Sequence, residues 1–175
     1  MFCRYKKLFF ALISFICLSG CESNFFNTRV WLKKVDFQVD PNANKSRAFA
    51  CHIVVPYSKD LRDRIASMDA QTYFSSINNL EKEYKDSLEI HKYDMIPGKN
   101  VLNQIVDIGS YSRAQGAFLF AKYSTQGKFM EDVGGSMSIV VKFLPYKIEV
   151  ISANSLKELE ESATNSVGSF FGSKK

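Results

Sequence analysis

The chain has 175 residues, 46% of them hydrophobic and 23% charged, with a formal net charge of +5. That length suits one domain with a sizeable core. The positive balance does not mark a nucleic-acid binder, because no basic block stands out and the aromatic residues fall in apolar runs where a core would want them.

Taken in order, Arg4, Lys6 and Lys7 precede an apolar stretch from Leu8 to Leu18 that only Ser14 interrupts, the anatomy of a secretory signal. As a helix this stretch reaches roughly half of a ~30 Å hydrocarbon core, so residues 1–20 read as a leader to be removed rather than a retained span. Its end, Leu18-Ser19-Gly20-Cys21, resembles the lipobox of bacterial lipoproteins, which implies diacylation of the Cys21 thiol and acylation of its new amine. One acyl chain holds marginally and two or more hold stably, so Cys21 would be a permanent tether. Glu22 stands where the Asp of enteric lipoproteins resembles an inner-membrane retention signal, which points to the outer membrane, facing the periplasm.

Loss of the leader removes three basic residues and no acidic ones, leaving 20 against 18, a balance of about +2. Residues 21–28 are then a lipidated linker that reaches about 25 Å when extended and holds the domain close to the bilayer. Phe25 and Phe26 in it could dip into the interface or cover one end of the domain. Of four cysteines, Cys3 and Cys17 leave with the leader and Cys21 takes lipid, so Cys51 is alone and no intrachain disulfide can form.

From Val30 to Val39 the residues Trp31, Val35, Phe37 and Val39 share one parity and Leu32, Lys34, Asp36 and Gln38 the other, which predicts a half-buried strand. The stretch Asp40, Pro41, Asn42, Ala43, Asn44, Lys45, Ser46 and Arg47 predicts an exposed polar loop. Phe49, Cys51, Ile53 and Val55 restart the alternation in a second strand ended by Pro56. A helical insert over residues 58–85 follows: Leu61, Ile65 and Met68 recur at spacings of four and three, and Asp69 caps a second stripe of Tyr73, Phe74, Ile77, Leu80 and Tyr84.

Further strands are predicted over Leu88 to Ile96, Val101 to Ile108, Met137 to Leu144 and Tyr146 to Ile151, with turns at Pro97-Gly98 and Gly134-Gly135. Gly116 to Tyr123 holds Phe118-Leu-Phe-Ala121 without alternation, as a central strand buried on both faces would. The fold is thus dominated by strands over residues 29–152. In the tail, 153–175, Ser155-Leu-Lys-Glu158 resembles a capping box before a short helix with a frayed end, and Phe170 and Phe171 could dock on the body or on a partner.

Catalytic and metal chemistry find little support. His52 and His91 are the only histidines, without a second His or Cys at metal-ligand spacing, and both read as strand residues, one of them inward and hydrogen-bonded. No serine stands in a Gly-x-Ser-x-Gly elbow, and Gly134-Gly135 lacks the spacing and the downstream Lys of a phosphate loop. No catalytic residue, cofactor or metal is assigned.

These elements together resemble the type VI secretion lipoprotein family TssJ. The residues that carry the resemblance are Phe37-Gln-Val-Asp-Pro-Asn42 with Asn44, His52-Ile-Val-Val-Pro-Tyr57, and Leu61. Met68, Tyr73-Phe74 and Leu80 follow in the insert, then Pro97-Gly98, Gly116 to Tyr123 and Ile148-Glu-Val150. The resemblance implies a two-sheet β-sandwich of seven to eight strands with the helical insert after the second, tethered to the outer membrane and not an enzyme. It also implies that the loop Asp40 to Arg47 binds the periplasmic C-terminal part of a TssM-like inner-membrane subunit, with Lys45 and Arg47 pairing to acidic groups. The chain departs from the family at Ala48-Phe49, where Pro is usual, at Pro56, and in the tail. The rival readings are a lipoprotein or pilotin of another secretion system, and a ligand-binding lipoprotein with an apolar pocket lined by Phe74, Ile77 and Phe120.

Overall fold

In the computed structural model, which describes residues 29–152, eight strands form two four-stranded sheets, and two helices lie between the second and third strands. The leader, Cys21, the linker and the tail with Phe170 and Phe171 lie outside the described residues. The strands are β1 (Lys34–Val39), β2 (Phe49–Pro56), β3 (Leu88–Met95), β4 (Val101–Ile105), β5 (Phe118–Ala121), β6 (Met130–Asp132), β7 (Ser138–Phe143) and β8 (Ile148–Ser152). The helices are α1 (Lys59–Ala66) and α2 (Ala70–Glu83). One sheet has the order β4-β1-β7-β8 and the other β3-β2-β5-β6. This is the expected β-sandwich with a helical insert.

The two sheets bury alternating side chains against each other, as strand periodicity requires. Val35, Phe37 and Val39 of β1 point inward beside Ile139, Val141 and Phe143 of β7, to which β1 pairs in parallel. Aromatic rings join the sheets: Phe37 lies 5.0 Å from Tyr93 and 5.9 Å from Phe143, and Phe49 meets both Phe143 and Tyr123 edge-on. Cys51 sits in this layer, unpaired and fully buried, and burial pushes its thiol up, away from the reactive thiolate.

The second sheet is covered on its other face by the helices, which explains why β5 does not alternate: all four residues of Phe118–Ala121 are buried. β5 lies between β2 and β6. Tyr73 of α2 stacks on Phe120 with ring centroids 4.2 Å apart, both fully buried. His52, opposite Phe120 on β2, shares a 3.0 Å hydrogen bond with the Tyr73 hydroxyl through Nδ1. It is the inward, hydrogen-bonded histidine. The helices start where polar caps are supplied: Ser58 Oγ accepts from Leu61 N–H, and an Asp69 carboxylate oxygen accepts from Thr72 N–H at 2.7 Å.

Several details differ from the periodicity. Trp31 is exposed, whereas Val30 and Leu32 are buried, so the inward parity changes before β1 begins. The cause is local: the N–H groups of Lys33 and Lys34 both donate to the Met137 carbonyl, at 2.9 and 3.1 Å, an irregularity of the bulge type that turns each later side chain to the opposite face. β4 is shorter than expected, and Asn103 within it takes a positive φ where its pairing with β1 shifts register. β6, only three residues long, was not expected at all, and Tyr146 belongs to the turn before β8 rather than to the strand.

Candidate functional site

Residues 40–47 join β1 to β2 and so connect the two sheets at one end of the sandwich. The local geometry follows from side chains that bond their own backbone. An Asp40 carboxylate oxygen accepts from Asn42 N–H at 2.7 Å, and the Asp40 carbonyl accepts from Ala43 N–H at 2.9 Å, which closes the first turn after Pro41. Asn44, Lys45 and Ser46 then take φ of 49°, 57° and 58°, three successive non-glycine residues in the left-handed region. Asn tolerates that region, but Lys and Ser do so at a cost of about 1–2 kcal/mol each.

Asn44 is what holds this conformation. Its Nδ2 donates to the carbonyls of Arg47 and Ala48, at 3.1 and 3.5 Å, and its Oδ1 accepts from Ser124 N–H at 2.5 Å. Ala43 and Asn44 are accordingly buried, which corrects the expectation of a wholly exposed loop. Of the eight candidate residues, these two form a stem. Pro41, Asn42, Lys45, Ser46 and Arg47 form the exposed tip, and Asp40 is half-buried. Strained backbone kept in place by a buried amide is the arrangement found at sites that need a pre-set shape.

The neighbouring turns complete the end of the sandwich. Gly98, at φ +79°, donates its N–H to the Val39 carbonyl and lies under Pro41, while Asn100 Oδ1 accepts from Val39 N–H at 3.0 Å. Between β7 and β8, Pro145 and Tyr146 face Asn42, Lys45 and Ser46 across a shallow hollow. Tyr146 is 78% exposed, and its ring adds a flat apolar surface to an otherwise polar, cationic tip. Tyr146 is not legible as a surface residue because the apolar strand pattern runs on into the turn before β8. Pro145 before it was the signal.

The other candidate residues are dispersed. His52 is held neutral between sheet and helix, its pKa lowered to about 4 by burial and by Lys92 nearby. His91 Nε2 lies 2.8 Å from one Glu89 carboxylate oxygen without hydrogen-bond geometry, and the other Glu89 oxygen accepts from the Tyr57 hydroxyl just past the end of β2 away from the loop. Among the described residues no group of three or more His, Cys, Asp or Glu could hold a metal. The pocket that the rival ligand-binding reading needs between sheet and helices is filled at Phe120, where Tyr73 stacks on it. Phe74 lines a separate open cleft with Gln71, Lys122 and Thr125.

No family model matches the chain, and no curated protein matches it in sequence. Its architecture is nonetheless shared with the small lipoproteins of type VI secretion membrane complexes. The chain is similar in structure to the T6SS lipoprotein TssJ1 from Pseudomonas aeruginosa, with 14% identity and a TM-score of 0.50 over 67% of this chain and 92% of that one. It is similar also to Serratia marcescens Lip, a membrane-bound component of the type VI secretion system, with 12% identity and a TM-score of 0.51 over 68% and 96%. A chain of a type VI membrane complex matches with 15% identity and a TM-score of 0.52 over 69% and 98%. The likeness is one of fold, a TssJ-like sandwich.

Proposed function

We propose that the protein is a non-enzymatic lipoprotein subunit of a type VI-like secretion membrane complex, tethered through Cys21 to the outer membrane and facing the periplasm. In this reading the tip of residues 40–47 binds a TssM-like inner-membrane subunit. The shared architecture and the lipobox-like Leu18-Ser19-Gly20-Cys21 support the class. The observation that carries the binding role is the tip itself, held in one shape before any partner arrives by the left-handed residues Asn44, Lys45 and Ser46 and by the bonds of the buried Asn44 amide. A loop ordered in advance loses less entropy on binding than a floppy one.

Lys45 supplies a cationic group across the hollow from the exposed Tyr146 ring, and Arg47 a second one on the exposed tip, a surface suited to an acidic partner with an apolar contact beside it. Replacement of both by Glu should weaken capture of the partner's periplasmic C-terminal region at least about tenfold, with circular dichroism unchanged. Full retention of binding by that double variant, and by Tyr146→Ala, would remove the loop end from the binding surface.

A further inference from the structure

At the opposite end of β1 the surface changes character. Trp31 is 45% exposed, Met137 54% and Ile105 79%, although each belongs to a segment that also feeds the core. The backbone brings the three together around Lys33 and Lys34: Ile105 pairs with Lys34 on one side, and the Met137 carbonyl accepts from both lysine N–H groups on the other. Val106 N–H also donates to the Lys33 carbonyl. Because Val30 and Leu32 point inward, Trp31 and Lys33 point out. The Arg29 guanidinium lies 5.9 Å over the Trp31 ring, and Lys33 is exposed, while Lys34 is 3.9 Å from Asp36.

This patch lies where the chain enters the described domain, and only seven residues, 22–28, separate Cys21 from Arg29. We infer that Trp31, Ile105 and Met137, flanked by Arg29 and Lys33, form the face on which the domain rests against the bilayer that holds Cys21. Seven residues extend about 25 Å at most, which keeps the face within reach of the headgroups. A tryptophan with one wet and one apolar side suits that interface, and the basic residues beside it suit anionic headgroups. The bulge at Lys33–Lys34 gives the patch its cause, since without the change of parity Trp31 would point into the sandwich. The inference rests on the reading of Cys21 as acylated.

Trp31 is the single tryptophan of the chain, so its fluorescence reports this face alone. The full lipidated protein is reconstituted into vesicles of phosphatidylethanolamine and phosphatidylglycerol, with and without lipids brominated near the headgroup end of the acyl chain. The expected result is a blue-shifted emission, quenching by the brominated lipid and protection from acrylamide. In the double variant Ile105→Ser, Met137→Ser the lipid quenching should fall roughly two-fold while the protein stays on the vesicles, because the acyl anchor is untouched. Emission that stays red and open to acrylamide on vesicle-bound protein would overturn the resting face and leave the anchor standing. So would protection from acrylamide without lipid quenching, which would mean that a protein covers the patch. Failure to float with the vesicles, with an unmodified Cys21 by mass spectrometry, would overturn the anchor reading and this inference with it.

Discussion

Two buried polar side chains set the behaviour of the domain at the scale of single residues. His52 lies between β2 and α2, bonded to Tyr73, with Lys92 and Lys122 opposing its protonation and Glu81 and Asp94 favouring it more weakly than burial opposes it. Its pKa is about 4 in the fold against 6.5 ordinarily. The unfolded chain therefore binds this proton first. Stability from His52 is complete above about pH 6.5 and falls by up to about 1.4 kcal/mol per pH unit as the pH drops towards 4. Urea unfolding at pH 7, 6 and 5 should show this slope, and His52→Gln should flatten it. Asn44 is the second such group. Asn44→Ala leaves the Ser124 N–H without its acceptor and puts a β-carbon residue with no local bond in the left-handed region, a loss of about 2–4 kcal/mol by the same measurement. The need for an amide there was only half legible. Asn in a loop suggested a local turn bond, but its partner Ser124 lies 80 residues away.

Among the elements, β7 and the helices were readable because their faces differ, and a face exposed to solvent on one side writes itself into the sequence as alternation or as a stripe. β2 was readable from its apolar run ending at Pro56, although the helices bury its second face as well. β5 was readable for the opposite reason, since a strand covered on both sides has no polar positions. β1 was readable only as far as Val35. Upstream of it a bulge reverses the alternation, and periodicity carries no sign of an inserted residue. β6 is too short, at three residues, to show a period. The joint between α2 and the sheet combines the Tyr73–Phe120 stack with the contacts of Tyr73 and Phe74 to His52. Phe120→Ala should cost about 3–5 kcal/mol in chemical unfolding, because the ring of Tyr73 would lose its partner and the space is closed to repacking by His52 and Phe74.

For the molecule as a whole, the sandwich and the position of its helical insert followed from the pattern and the resemblance, but the order of strands did not. β1 pairs in parallel with β7 across about a hundred residues of chain, and alternation says which side of a strand is buried, never which strand lies next to it. That pairing places the amino end of β1 and residues 40–47 at opposite poles of the domain. Between these poles β1 itself, the six residues Lys34–Val39, runs extended for about 20 Å from the bulge at Lys33–Lys34 to the loop. In the proposed assembly, tension between an anchor at Cys21 and a partner at the far pole would be carried along β1 by covalent bonds in line with the pull. The hydrogen bonds to β4 and β7 run crosswise to it and have no need to lengthen. Under load this strand behaves as a strap, and its pairing with β4 and β7 serves to keep it straight.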